Sequence, residues 1–172
     1  MAMIDAEAAL VAAFGRIAAT RMAGLPLNNP ALRVAAVGFR SGEEGTAVGV
    51  LVTPWAVNLV LVAAGGGRTL YLAPDRRKTW RFPSGEYEFM GGEEPECGAY
   101  QFCSLFSPAF EFDSQESAAA TAREIMAALF ADELADRRED REQARLCGRP
   151  VLEVATTRRG FLQGILGGLK GG

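Results

Sequence analysis

Apolar residues recur at helical spacing near the start of the chain and again in its last third. Between Ile4 and Ala18 they return every three or four positions, which predicts an amphipathic helix over roughly residues 5–22. A second helix is predicted to about Arg141 from Ser114, a residue type suited to capping a helix start, or from Ser117 one turn later. Helices therefore precede and follow the central part of the chain.

The central part has the pattern of short β-strands separated by turns. The predicted strands are Leu32–Arg40, Thr46–Thr53, Val57–Val62, Gly85–Gly91 and Gly98–Phe106. Because these strands follow one another without intervening helices, they predict an antiparallel sheet with the helices packed on one face. The predicted fold class is α+β, with one domain over residues 1–145 and a basic, flexible tail over residues 146–172.

Composition limits the functions that this domain can have. The 172 residues carry a net charge of −3, which gives a nucleic-acid partner no electrostatic support. The chain has no histidine, the commonest general base and metal ligand, and its three cysteines form no Cys-x-x-Cys pair. We therefore expect no metal, no cofactor and a reducing, cytoplasmic setting. No stretch predicts a secretory peptide or a membrane-spanning helix.

Two cysteines and one tryptophan are the candidates for chemistry or binding. Cys103 lies among apolar neighbours, so we expect a packing residue rather than a nucleophile. Cys97 follows a run of glutamates, an acidic setting that disfavours the thiolate. Trp55 follows Pro54 between two predicted strands, where it is either a lid on the core or an exposed binding anchor. These three residues do not make a catalytic constellation.

Acidic residues are concentrated between Ser84 and Tyr100, where the sequence contains no basic residue. The residues of this acidic run are Glu86, Glu88, Glu93, Glu94 and Glu96. Charge of one sign steers a partner of the opposite sign before contact. The run thus predicts an acidic surface suited to a basic peptide, with a solvated turn as the alternative for its last three glutamates.

Basic charge gathers near the other end of the sequence. Thr157–Gln163 has the sequence Thr-Arg-Arg-Gly-Phe-Leu-Gln and resembles the twin-arginine export motif, with Gln163 in place of lysine. Such motifs are read near an N-terminus, ahead of an apolar stretch, whereas only nine residues follow here. The residues from Thr157 on carry +3 and the remainder carries −6. The motif is either coincidental or an imitation of a segment that the protein handles.

Three further segments resemble the HybE/HupJ family of NiFe-hydrogenase assembly chaperones. They are Val52–Leu59, which contains Thr-Pro-Trp, then Phe82–Phe89, and Tyr100–Pro108, which contains Cys-Ser-Leu-Phe-Ser-Pro. The resemblance covers roughly residues 5–135 and implies a cytoplasmic protein without enzymatic activity and with a secretion-chaperone-like α+β fold. It further implies that the protein holds the hydrogenase small subunit, which carries a twin-arginine signal. The large subunit is a second candidate partner, and a homodimer stays an open alternative.

The candidate binding residues follow from the positions of these motifs and of the acidic run. They are Pro54, Trp55, Asn58, Glu86, Glu88, Cys103, Ser107 and Pro108. The tail residues expected to imitate the client signal, and to occupy its site while no client is bound, are Arg158, Arg159, Phe161 and Leu162. One alternative is a thiol-dependent redox or iron–sulfur accessory protein that uses Cys97 and Cys103. Another is a small-molecule-binding domain lined by Trp55, Tyr87 and Phe89.

Overall fold

A computed structural model describes residues 3–64, 70–131 and 133–147 of the chain. These residues form three α-helices, six β-strands and one short 3-10 turn. In chain order the elements are α1 Met3–Ala19, β1 Ala35–Ser41, the 3-10 turn Glu43–Gly45, β2 Thr46–Val52, β3 Val57–Ala63, β4 Arg77–Phe82, β5 Gly85–Glu94, β6 Gly98–Phe106, α2 Gln115–Leu129 and α3 Glu133–Leu146. Among the described residues, no helix is long and apolar enough to cross a membrane.

The six strands form one sheet in the order β1-β2-β3-β6-β5-β4. The pairs β1–β2, β2–β3, β3–β6 and β5–β6 are antiparallel. The register places Leu51 of β2 opposite Asn58 of β3, and Val60 of β3 opposite Phe102 of β6. A sheet of this kind with helices before and after it confirms the predicted α+β class.

Helix α1 packs on one face of the sheet. The buried residues of the α1 cluster are Ala6, Leu10, Ala13, Phe14, Ile17, Ala47, Leu51, Val60, Val62 and Tyr100. The ring of Phe39 lies over Gly49 of β2, where an added Cβ would stand 2.1 Å from the ring. Glycine at this position therefore lets an aromatic side chain lie flat on the strand.

Both faces of the central strands are covered. All seven residues of β2 are buried, which requires packing on both sides because alternate side chains point to opposite faces. Helix α2 contributes a separate buried stripe, formed by Ala118, Ala122, Ile125 and Met126. Met126 lies against Gly38 of β1. The expectation of a sheet covered on one face does not hold, because such packing would leave alternate residues of β2 exposed.

Strand β4 is missing from the predicted strands. Its basic residues give Arg77–Phe82 the composition of a surface patch, which hides the alternation beneath. In the structure the strand alternates between exposed and half-buried residues, with Trp80 and Phe82 among the half-buried ones. One face of such a strand packs on apolar surface and the other is exposed to water, which accounts for the alternation of basic and aromatic residues.

The predicted helix over residues 114–141 is in fact two helices, α2 and α3. Its start is confirmed, since the N–H of Ser117 donates to Oγ of Ser114 over 3.1 Å. Helix α2 ends at Leu129, whose carbonyl oxygen accepts a hydrogen bond from the N–H of Ser84 over 3.2 Å. This bond gives one of the last carbonyl groups of α2 a partner that the helix itself does not supply.

The described residues divide into two compact units. The first contains the residues up to Lys78 together with Phe89–Met126. The second contains Thr79–Glu88 and the described residues from Ala127 on. The loops described next all belong to the first unit.

Candidate functional site

Asn29 is a buried residue that ties three loops together. Its side-chain amide donates to the carbonyl oxygens of Ala109 and Phe112 over 2.9 and 2.8 Å. Its Oδ1 accepts from the N–H of Ala31 over 3.0 Å, and its own N–H donates to the carbonyl oxygen of Pro54 over 2.7 Å. The loop after α1, the turn between β2 and β3 and the loop after β6 therefore meet at one residue, through its side chain and its backbone N–H.

The turn between β2 and β3 is closed by the hydroxyl group of Thr53. This hydroxyl donates to the carbonyl oxygen of Ala56 over 2.7 Å and accepts from the N–H of Ala56 over 3.0 Å. The N–H of Thr53 donates to the same carbonyl oxygen over 2.9 Å. Side-chain bonds of this local kind stabilise a tight turn. The Thr-Pro-Trp segment thus presents the Pro54 carbonyl to Asn29 in a fixed position.

Exposed apolar side chains lie on the loops that Asn29 joins. Phe110 is 54% exposed and, with Glu111, lies between the two residues whose carbonyl groups Asn29 holds. Leu25 and Leu27 are exposed on the loop that contains Asn29. Asp113 is exposed just beyond Glu111. We call Leu25, Leu27, Phe110, Glu111 and Asp113 together the Asn29 surface. Apolar side chains that gather into an exposed patch are typical of partner-binding sites, which makes the Asn29 surface the candidate site.

Trp55 is a half-buried lid over the α1 cluster. Its ring stacks on Phe14 with centroids 6.4 Å apart and an angle of 19° between the planes. Phe14 in turn meets Tyr100 edge-on at 5.5 Å. The sequence left open whether Trp55 is a lid on the core or an exposed binding anchor. This packing fits the lid, and the partial exposure of Trp55 leaves part of its ring accessible.

Four charged side chains connect α1 with the turn between β5 and β6. Arg16 pairs with Glu94 over 2.6 Å and with Glu96 over 2.5 Å, and Arg21 also pairs with Glu94. Burial raises the pKa of the Glu94 carboxyl, but the hydrogen bonds from Arg21 and Arg16 outweigh it, so the pKa lies below its ordinary value. The hydrogen bond from Arg16 likewise lowers the pKa of Glu96. These carboxylates are thus engaged within the fold.

The acidic run is therefore not the open surface that its sequence suggests. Glu94 and Glu96 pair with arginines of α1 and of the loop after it. Glu86 pairs with Arg81 over 3.2 Å. Glu88 and Glu93 are exposed. A basic peptide drawn to this run would have to displace the arginines that already pair with Glu86, Glu94 and Glu96.

The two candidate cysteines lie on opposite faces of the sheet. Cys103 is 2% exposed and opposes Leu59, whose side chain points away from the α1 cluster to which neighbouring Val60 belongs. Cys97 packs against that cluster. Burial raises the pKa of the Cys97 thiol to about 11, with further contributions from the nearby carboxylates of Glu94 and Glu96. This arrangement gives no support to a shared thiol site.

The remaining candidate binding residues are divided between surface and core. Ser107 and Pro108, joined by a cis peptide bond, are exposed at the start of the loop that Asn29 holds. Asn58 is 8% exposed, and its Oδ1 has no hydrogen-bond partner among the described residues.

The aromatic residues suggested for a small-molecule pocket do not converge. Phe89 is fully buried, and Tyr87 is buried with its hydroxyl 2.7 Å from that of Ser84. Met90 opposes Phe102, which packs on the α1 cluster, so the adjacent Phe89 points to the other face. Trp55 packs against the α1 cluster. Phe89 and Trp55 therefore do not line one cavity.

Asn29 and Phe110 are the residues that sequence reasoning missed. The segment Leu25–Pro30 has the composition of a linker, and Phe110 has that of one more core aromatic. The available signal was the Asn-Pro step, which favours a turn held by the asparagine side chain. The tail residues Arg158, Arg159, Phe161 and Leu162 lie outside the described residues.

Comparisons with known proteins place the chain in a family. Protein HoxT of Cupriavidus necator is 45% identical over 134 residues, which cover 72% of this chain and 74% of the relative. The hydrogenase expression/formation protein HupJ of Bradyrhizobium diazoefficiens is 38% identical over 157 residues, covering 91% and 86%. The solution structure of HybE from Escherichia coli matches with a TM-score of 0.59 at 25% identity, covering 73% of this chain and 77% of that one. Since the family model of the NiFe-hydrogenase assembly chaperone HybE also matches residues 5–164, the chain belongs to this chaperone family.

Proposed function

We propose that the chain holds the hydrogenase small subunit in the cytoplasm, through its twin-arginine signal, and does so without catalysis. Membership in an assembly-chaperone family supports a holding role. The observation that carries the proposal is the Asn29 surface, where exposed apolar side chains lie beside carboxylates on backbone fixed by hydrogen bonds. A surface of this kind suits a segment that combines basic and apolar residues.

The thiols support a role without chemistry. Cys103 is buried and the Cys97 thiol has a raised pKa, so neither presents a reactive thiolate. Cys103→Ala is expected to cost about 1–2 kcal/mol of stability through lost packing and to leave hydrogenase maturation intact in cells. Loss of maturation with a folded Cys103→Ala protein would favour the thiol-dependent alternative instead.

The segment Thr157–Leu162 is proposed to compete with the client. It lies within the residues that the family model matches and has the basic-then-apolar order of a twin-arginine signal. A tethered copy competes at an effective concentration of roughly millimolar, so it excludes weak clients and admits strong ones. Deletion of residues 156–172 is expected to tighten the binding of a client signal peptide. An unchanged affinity contradicts the competition.

A pull-down with each purified hydrogenase subunit tests the holding function. The full chain is expected to retain the small-subunit precursor. It is expected to retain much less of a precursor whose two signal arginines are replaced by glutamine, and least of the large subunit alone. Equal retention of the two precursors would refute recognition of the signal, and failure to retain either would refute the holding of the small subunit.

A further inference from the structure

We propose that the Asn29 surface is the docking site for the twin-arginine segment of the client. Phe110, Leu25 and Leu27 receive the apolar side chains of that segment. Glu111 and Asp113 receive its two guanidinium groups. This inference rests on the proposed function and assigns it to named residues.

Hydrogen bonds fix the shape of this surface before a partner arrives. Phe110 and Glu111 project from a turn whose two ends, Ala109 and Phe112, are buried and held by the Asn29 amide. On the other loop, the N–H of Asn28 donates to the carbonyl oxygen of Leu25 over 3.1 Å. Side chains presented on an ordered backbone lose less conformational freedom on binding, which favours affinity.

The charge of this surface is available for a partner. Glu111, Asp113 and Glu116 are exposed, and none of them makes an ion pair with a described residue. Arg33 lies close to the start of α2, since the side chain of Gln115 binds both its backbone N–H and its carbonyl oxygen. The Asn29 surface itself contains two carboxylates and no basic residue. The acidic run, by contrast, has arginines on three of its glutamates.

A twin-arginine segment contains both kinds of group that this surface can receive. The copy in this chain shows the chemistry: two adjacent arginines, a spacer, then phenylalanine and leucine. An extended chain rises about 3.3 Å per residue, so arginines and apolar pair lie on the order of 7–10 Å apart. Phe110 and Glu111 are adjacent in the turn that Asn29 holds, so a segment bound there can contact an apolar group and a carboxylate at once. We assign the site to the copy carried by a partner protein, because the family assembles other chains.

Binding of a labelled synthetic peptide with the small-subunit signal sequence tests the assignment. Fluorescence anisotropy with the full chain is expected to give an affinity at least about tenfold weaker for Phe110→Ala, as truncated aromatic anchors do. Tyr71→Ala is the matched control, since Tyr71 is also an aromatic residue, 59% exposed, and lies outside the Asn29 surface. The control is expected to bind like wild type.

A second pair of variants tests the charges. Glu111→Gln with Asp113→Asn is expected to weaken binding about three- to tenfold at low salt, with the difference shrinking at high salt. The matched control is Glu43→Gln with Glu124→Gln, which removes the same charge from exposed positions elsewhere. A peptide with glutamines in place of both arginines is expected to bind wild type and the double variant equally.

Three outcomes decide between the possibilities. If wild type binds the peptide and Phe110→Ala binds it equally well, the docking site is elsewhere and the proposed function stands. If wild type binds neither the peptide nor the small-subunit precursor, the proposed function fails together with the site. If Phe110→Ala tightens peptide binding to the full chain, the surface holds only the chain's own copy and the client contacts other residues, which overturns the assignment to the client.

Discussion

Replacement of Asn29 by alanine is expected to destabilise the protein by about 2–4 kcal/mol. The substitution removes the hydrogen bonds to the carbonyl oxygens of Ala109 and Phe112 and the bond from the N–H of Ala31. Ala31 is exposed, so water replaces its partner. Ala109 and Phe112 are buried, and each buried polar group left unpaired costs about 1–3 kcal/mol. The expected loss of stability is the sum for these two carbonyl groups. Its upper end is lowered because the loop can relax after the substitution.

Urea unfolding followed by tryptophan fluorescence measures this change. Asn28→Ala is the matched control, because Asn28 is the neighbouring residue, is half-buried and donates one bond to the carbonyl oxygen of Met22. Its expected cost is about 1 kcal/mol or less. Asn29→Asp keeps an acceptor for Ala31 but removes both donors and adds a buried charge, so it should cost at least as much as Asn29→Ala.

A loss of stability for Asn29→Ala no larger than for Asn28→Ala would refute this reasoning. The same variant also tests whether the conformation of the loop, rather than a direct contact by Asn29, contributes to binding of the client peptide. Asn29 is only 6% exposed, so it does not itself offer a contact. Weaker peptide binding by Asn29→Ala, measured at a temperature where it is folded, would show that the clasped shape of the loop contributes to recognition.

Three further predictions concern charge, thiol reactivity and packing. Glu94 should contribute its full stabilisation above about pH 4.5, the ordinary carboxyl pKa, and lose it as the pH falls through the lower pKa of the folded protein. The unfolding free energies of wild type and Glu94→Gln, measured in urea, should therefore converge in acid. Cys97 should react with iodoacetamide at pH 8 far more slowly than exposed Cys147, because burial raises its pKa to about 11; equal labelling by mass spectrometry would contradict this. Trp55→Ala should lower the free energy of unfolding by about 2 kcal/mol, because the stacking on Phe14 is lost. An unchanged free energy of unfolding would contradict the packing role and favour a role in binding only.

The strands of the sheet were predictable because their patterns are local. β6 begins and ends at the predicted residues, Gly98 and Phe106, where a glycine starts the run and a serine–proline step ends it. β2 and β3 agree with prediction to within a residue at each end. Branched apolar runs bounded by turn residues contain this information in a few consecutive positions. β4 was missed because its charges masked the same kind of alternation.

The pairing of charges was not predictable in this way. Glu94 and Glu96 have no basic neighbour along the sequence, yet both pair with Arg16, which lies 78 and 80 residues earlier. Arg21 reaches Glu94 across 73 residues. Electrostatic partners depend on which elements pack together, and a single sequence records only neighbours along the chain.

The candidate site was predicted in part, through motifs rather than through physics. The Thr-Pro-Trp segment supplies Pro54, and the Cys-Ser-Leu-Phe-Ser-Pro segment leads into the loop that Asn29 holds. Asn29 itself was invisible, because its role depends on carbonyl groups 80 and 83 residues further along. A backbone carbonyl is present at every residue, so no residue type marks it as a partner.

The long reach of these contacts has a consequence for how the chaperone is made. Asn29 and α1 are synthesised well before their partners near Glu94 and Phe112. Contacts between residues so distant in sequence form late, since the intervening loop must first close. We therefore expect the loop with Phe110 to be held by Asn29 only after the sheet is complete. A partly synthesised chain would lack the Asn29 surface, so the binding proposed for it would begin only after Phe112 has been made and the loop has closed.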